Sequence, residues 1–247
     1  MSAIRTARSR ARAELTREIK AVARRQLARD GAGQLSLRAV ARELEMVPSA
    51  LYRYFPSRDE LLTALIIEAY QALGDAAERA VTVLPPGDVL GRWRAGCRAL
   101  RSWAVERPHE FALLYGSPVP GYRAPEDTIA PATRVYTFLL SIVRDAHQSG
   151  QLAPPPTAPA LTPSLNADTQ LLLTALDLPE LPPAVLTRAI TAWTQLIGGI
   201  SLELFGHLEG AFQDNAAFFD HTIELMASLI GLAVDAPLER VAPSSSN

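Results

Sequence analysis

Between Leu35 and Leu62 the chain reads L-S-L-R-A-V-A-R-E-L-E-M-V-P-S-A-L-Y-R-Y-F-P-S-R-D-E-L-L, and helix start and stop signals crowd into it. Ser36 stands where an N-cap belongs, ahead of Leu37, Val40, Ala41 and Leu44 on one helical face. Pro48 suits the first turn of a following helix, where its missing N–H is not needed. Phe55-Pro56 closes that helix. Ser57 then caps another, whose first turn holds Asp59 and Glu60, the charge sign a helix N-terminus favours. So punctuated, the segment fits two short helices joined by a tight turn, followed at once by the start of a third.

The second of these helices, Val47 to Phe55, has a length of about two turns. Ala50, Leu51 and Phe55 have the spacing to pack inward. Pro48, Ser49, Tyr52, Arg53 and Tyr54 are left around the rest of the surface, a costly set to expose on so short a body. Tyrosine hydroxyls and an arginine guanidinium donate to phosphate oxygens, and an arginine fork can read a guanine edge. Small residues at Pro48 and Ser49 let the helix N-terminus come close to DNA. The helix starts at Ser36, with Arg38 in its first turn, and at Ser57–Arg58 offer N–H groups to phosphates. The alternative is that Tyr52 and Tyr54 simply cover the neighbouring helix.

Charge is divided along the chain in a way that fits the first reading. Residues 1–60 hold 13 of the 24 Lys/Arg but only 7 of the 26 Asp/Glu, so a basic head of +6 sits on an acidic body of −8. A polyanion partner for the head alone would produce this split. Arg5, Arg8, Arg10 and Arg12 read either as an arm reaching DNA, by way of the minor groove, or as a disordered solubilising tail.

Elsewhere the dominant signal is helical periodicity with almost no β pattern, so an all-α fold is expected. A first helix is expected from about Arg10 to Asp30, stopped by Gly31 and Gly33. The helix after Ser57 runs towards Leu84 and is broken by Pro85-Pro86-Gly87. Further helices are expected over Val89–Glu106, from Pro108 to Tyr115, over Glu126–Gln148 and over Asn166–Leu176. The segment 116–125 reads as an ordered loop, and the proline-rich stretch 152–163 as an extended, mobile linker. Two strongly periodic helices close the chain, over Pro183–Leu208 and Asn215–Val234.

The first ~65 residues resemble the DNA-binding domain of TetR-family transcriptional regulators. L-S-L-R-A-V-A-R-E-L, S-A-L-Y-R-Y-F and F-P-S-R-D-E-L-L carry the resemblance. It implies a three-helix helix-turn-helix head on a helical ligand-binding and dimerisation body. It also implies that Pro48, Ser49, Tyr52 and Tyr54 hold DNA-contacting positions, and that Arg58 holds the position of a basic residue that grips phosphate. Two positions depart from the family pattern: Glu45 stands where the turn usually has Gly, and Val47 where a Ser or Thr cap is usual. Glu45 must then take a conformation that Gly adopts more easily. Y-G-S-P-V-P-G-Y (115–122) and A-W-T-Q-L-I-G-G-I-S-L-E-L-F-G-H-L (192–208) are similar to the C-terminal domain of one group within the family.

The expected organisation is a head over 1–57, a body over 58–235 and a disordered tail over 236–247. The body would dimerise through its last two helices, with Trp193, Ile197, Ile200, Leu204, Phe219, Met226 and Ile230 at the interface and Gly198 and Gly199 permitting close approach. Trp193, Ile197 and Leu204 fit core packing inside one subunit equally well. A homodimer would set two recognition helices about 34–36 Å apart on a near-palindromic operator. An apolar pocket for a small hydrophobic effector would draw on Trp93, Cys97, Trp103, Phe111, Tyr115, Tyr136 and Trp193, each of which also suits an ordinary core.

Catalysis finds no foothold in the sequence. There is no glycine-rich phosphate loop and no G-x-S-x-G elbow, and His109, His147, His207 and His221 are scattered without metal-ligand spacing. No catalytic residue, metal or cofactor is expected. The remaining alternative is a helical small-molecule-binding or scaffold protein whose head no longer binds DNA, and Glu45 is the feature favouring it. No apolar run reaches the roughly 18–20 residues of a bilayer span, the start lacks a secretory signal, and the lone Cys97 cannot form an internal disulfide. The expected location is therefore cytoplasmic, away from any membrane.

Overall fold

The computed structural model describes residues 2–153 and 159–232, with side chains from residue 7 onward. The tail over 236–247 lies outside the described residues, as does the side chain of Arg5. Among the described residues the fold is all-helical: α1 (Ser2–Asp30), α2 (Leu37–Glu43), α3 (Pro48–Leu51), α4 (Arg58–Thr82), α5 (Val89–Glu106), α6 (Pro108–Tyr115), α7 (Ile129–Gln148), α8 (Pro163–Ala175), α9 (Pro183–Leu204) and α10 (Asn215–Ile230). Boundary chemistry is local. Ser36, Ser57, Asp88, Thr162 and Asp214 each accept a hydrogen bond from a backbone N–H in the first turn of the helix they precede. Prolines open α3, α6, α8 and α9.

Two apolar clusters form, and α4 runs through both. The head cluster gathers Ile19, Val22 and Leu27 of α1, Val40 of α2, Leu51 of α3 and Leu61, Leu62 and Leu65 of α4. Its partners include Val119 and Tyr122 from the 116–125 loop. From Ala69 onward the same helix faces the body cluster, built around Trp93, Cys97, Leu100, Phe111, Leu140, Ile142, Leu186 and Ile200. The first two turns of α4 therefore belong to the core of the head, and the rest to the core of the body. Gly96 lets α5 approach α7 closely, since a Cβ there would come within 3.1 Å of a Leu139 methyl carbon.

Salt bridges tie the body helices edge to edge. Along α5, Arg94 pairs with Glu224 at 2.5 Å, Arg98 with Asp220 at 2.8 Å and Arg101 with Glu203 at 2.5 Å. Arg134 of α7 reaches both Asp75 and Glu78 of α4, at 2.7 and 2.8 Å.

Four local expectations change. First, α1 is helical from Ser2 rather than from about Arg10, so the backbone of the basic N-terminus is not a disordered tail. Second, α3 is a single α-turn that tightens beyond Leu51 into bonds such as Arg53 N–H to Ala50 O and Tyr54 N–H to Leu51 O. Third, the stretch expected as a mobile linker begins anchored. Leu152 bridges Leu232, and the Ala153 N–H donates to the Gly231 carbonyl at 2.8 Å. Gly231 sits at φ 99°, and a Cβ there would lie 2.3 Å from the Ala153 oxygen, so only glycine fits that cap. Residues 154–158 lie outside the described set.

Fourth, the face that α9 and α10 turn outward is not the expected one. Ile200, Phe219, Met226 and Ile230 are buried inside the single chain. Trp193, Ile197 and Leu204 are half-buried against the same core. The large apolar side chains exposed here are instead Leu202 on α9, Phe205 just past its end, and Leu225 and Leu229 on α10. Gly198 and Gly199 have open space where a side chain would stand.

Candidate nucleic-acid interface and body cavity

The turn between α2 and α3 holds the head's most unusual backbone. Leu44 follows the last turn of α2, and Glu45 then takes φ 55°, in the left-handed region. The Met46 N–H returns to the Ala41 carbonyl at 2.8 Å, and the Glu45 N–H to that of Arg42 at 3.2 Å. This pair of bonds is a Schellman cap, whose left-handed position is usually glycine. A side chain there costs about 1–2 kcal/mol. Val47 precedes α3 without any side-chain cap and is 66% exposed. The head thus carries two unfavourable features in one turn, and both sit on its surface.

That turn presents α3. Leu51 is fully buried and Phe55 nearly so, while Ala50 is half-buried. Pro48, Ser49, Tyr52 and Arg53 are exposed, with Tyr52 at 43%. Arg38, at the start of α2, is exposed as well. Neither Arg38 nor Arg53 makes an ion pair among the described residues, so both cations remain available to an anionic partner.

Three of the expected DNA contacts also hold the head together. Ser36 spends its hydroxyl on the Ala39 N–H as the cap of α2. Tyr54 is half-buried against the head cluster, with the Arg12 guanidinium 5.1 Å above its ring. The same guanidinium donates to the Arg53 carbonyl at 3.1 Å, so α1 clamps the end of the recognition element. Arg58 turns back rather than outward. It donates to the carbonyls of Leu35, Ala32 and Gly33 at 3.1, 2.9 and 3.2 Å and holds the loop between α1 and α2. The resemblance implies a basic residue that grips phosphate at this position, and in this structure its guanidinium meets three backbone carbonyls. The clamp from Arg12 leaves no sequence signal, because it joins positions 41 residues apart.

The junction between head and body is polar and cross-linked. Glu68 of α4 accepts from both Lys20 and Arg24 of α1, and Arg24 also reaches Glu110 of α6 at 3.3 Å. The 116–125 loop straps across α4, where the Tyr122 and Thr63 hydroxyls bond at 2.9 Å. A groove of about 520 Å³ opens beside this strap, with Ile66, Tyr70, Leu114, Tyr122, Ile129 and Ala132 among its walls.

Inside the body, three of the seven expected pocket residues line one cavity. Trp93, Tyr136 and Trp193 enclose it with Leu139, Leu140, Val143 and Ala189, and its volume is about 10 Å³. That is room for about one water. Trp93 is anchored by its indole N–H to the Ile223 carbonyl at 3.1 Å. Cys97 and Phe111 are ordinary core, and burial pushes the Cys97 thiol up, away from reactivity. Trp103 is buried beside α4 and lines a different, shallow surface groove. Tyr115 packs edge-on to both Tyr70 and Trp193, at 6.0 and 6.3 Å between ring centres. Burial pushes its hydroxyl up, and pushes that of Tyr136 up to about 12. Among the described residues, no group of three or more His, Cys, Asp or Glu could hold a metal ion. Nor is any helix among them long and apolar enough to cross a membrane.

Comparison with known proteins accounts for both halves of this geometry. Residues 19–65 match the bacterial regulatory proteins of the tetR family, and residues 93–226 match the tetracyclin repressor-like C-terminal domain. HTH-type transcriptional regulator Rv1816 of Mycobacterium tuberculosis is 38% identical over 233 residues, covering 89% of this chain and 94% of its own. HTH-type transcriptional regulator Mb1846 of Mycobacterium bovis matches to the same extent, 38% identity over 89% of this chain and 94% of its own. The crystal structure of SCO4313 superposes with a TM-score of 0.72 at 34% identity, over 89% of this chain and 98% of that one. A protein of unknown function from Rhodococcus sp. RHA1 follows with a TM-score of 0.64 at 26% identity, over 89% and 96% of the two chains.

Proposed function

The chain belongs to the TetR family of transcriptional regulators, and from that membership we propose that it is a repressor that binds a near-palindromic operator as a homodimer and is released by a small hydrophobic effector. The observation that carries the DNA-binding part is the exposed set Pro48, Ser49, Tyr52 and Arg53 on α3, with unpaired Arg38 beside it. Tyr52 and Arg53 would reach phosphates and base edges, and the small Pro48 and Ser49 would let α3 enter the groove. Ser36, Tyr54 and Arg58 act one step behind, fixing the elements that make contact.

The dimer surface in this reading is the outward face of α9 and α10. Leu202, Leu225 and Leu229 on these helices, with Phe205 just past the end of α9, are large apolar side chains left exposed, which favours a partner, and a second copy would cover them symmetrically. The domain division is proposed as a head over 1–57 and a body over 58–235, with α4 as the lever shared by both cores. Effector binding in the body would shift α6 and α4, to which α1 is tied through Arg24, Glu68 and Glu110. A coupling of about 1–3 kcal/mol would suffice to weaken operator binding by roughly five- to 150-fold.

Selection of binding sites from random duplex DNA tests the reading. A near-palindromic site should emerge, and Tyr52→Ala should weaken its binding while helicity and dimerisation stay intact. Failure to enrich any sequence would remove the regulator reading. A Tyr52→Ala protein that unfolds would make Tyr52 part of the core.

A further inference from the structure

Two buried hydroxyls in the body have no hydrogen-bond partner among the described residues: Tyr115 Oη and Tyr136 Oη. Leaving a buried donor unpaired is costly, and such groups mark places where something else completes the bond. Both rings pack on the same indole, Trp193, with ring centres 6.3 and 5.9 Å away. Tyr136 and Trp193 line the small cavity, while Tyr70, another ring against Tyr115, lines the larger groove beside the strap. Tyr115 thus packs between a ring of the cavity wall, Trp193, and a ring of the groove wall, Tyr70. It is the last residue of α6.

No charged side chain lines the small cavity, so a charged guest would lose its hydration there without a counter-ion. The walls are two indoles, a phenol and aliphatic side chains, which fit a flat apolar body. Both hydroxyls stay protonated at neutral pH and can donate as well as accept.

We propose that the aromatic cavity and the strap groove form one ligand site, partitioned by Tyr115, whose occupant is a neutral, flat, largely apolar molecule with a hydroxyl or carbonyl oxygen bonded by Tyr136 and Tyr115. The proposal rests on the effector-responsive reading above and specifies the chemistry of the effector. The groove half of the site is walled by Tyr122 of the strap, which bonds Thr63 of α4, so filling it bears directly on the lever to the head.

Three probes of one shape separate the possibilities: naphthalene, 2-naphthol and 2-naphthoate, titrated calorimetrically into the full-length protein without DNA. 2-Naphthol should bind about tenfold tighter than naphthalene, the factor expected of one good net hydrogen bond. The 2-naphthoate anion should not bind measurably. Tyr136→Phe, which removes one of the two unpaired hydroxyls, should reduce the advantage of 2-naphthol while keeping the affinity for naphthalene. Ala189→Leu, which fills the void, should remove binding of both neutral probes with the helical content unchanged. Tighter binding of the anion, equal binding of naphthalene and 2-naphthol, or no binding of any probe would overturn the proposal. So would an unchanged preference in Tyr136→Phe, or binding that survives Ala189→Leu. Operator affinity of the 2-naphthol-loaded protein is a separate readout. Tight binding without any change in DNA affinity would uphold the site and remove the effector-response reading instead.

Discussion

The head and the body differ in where most of their unfavourable features lie. In the head the apolar interior packs around Ile19, Leu51, Leu61 and Leu62, one buried amide nitrogen, Gln26 Nε2, lacks a partner among the described residues, and two further costs lie outside: Glu45 in a left-handed turn and Val47 without a cap. In the body the outer edges are laced with Arg–Glu and Arg–Asp pairs, and the cost lies inside, in the unpaired hydroxyls of Tyr115 and Tyr136. Natural proteins retain such costs mainly where function demands them. The contrast matches a division of labour in which the head meets a partner from outside and the body receives one within.

Substitutions can break or sharpen this contrast. The largest effect should come from the body: Trp93→Ala removes a nearly fully buried indole and its bond to Ile223. It should cost about 3–5 kcal/mol in denaturant unfolding and disturb head and body together. Leu51→Ala, at the centre of the head cluster, should cost about 2–4 kcal/mol and abolish DNA binding. Near-UV circular dichroism of the body should persist in that variant. If it vanishes too, the head is not a separable cooperative unit and the contrast fails. Glu45→Gly should stabilise the protein by about 1 kcal/mol, because it relieves the positive φ. A loss of stability there would mean that the Glu45 side chain makes a contact that offsets its strain. The smallest effect is expected for Val47→Thr, a gain of about 0.5–1 kcal/mol in thermal unfolding from the missing cap of α3.

Much of the head was legible in the sequence because its signals are local. Ser36, Pro48 and Ser57 mark helix starts through side-chain or ring chemistry that acts within one turn, and the structure places all three at helix starts. Glu45 announced its own conformation, since the turn geometry is set by its neighbours and not by its own preference. The fate of Arg58 and Arg12 was not legible, because their partners are backbone carbonyls distant in sequence or supplied by folding.

In the body the helices were legible and their faces were not. On α9 and α10 apolar residues occur nearly all round, so Ile200 and Leu202, or Met226 and Leu225, look alike in a periodic pattern. Packing against α5 decides which of them turn inward. The cavity was half legible. Aromatic residues could be named, but only three of the seven line one space, because helices α5, α7 and α9 converge there and nothing in their spacing says so.

The most direct test of the central claim, that the exposed α3 surface meets DNA, is the salt dependence of binding to a selected operator duplex. An affinity that falls steeply, with a slope of log K against log salt of about −4 or steeper, is expected if roughly five phosphates per complex are neutralised. Arg38→Ala and Arg53→Ala should each make the slope shallower by about one per dimer half-site. An affinity that is flat in salt, or no binding at low salt, would contradict the assignment of this surface to DNA.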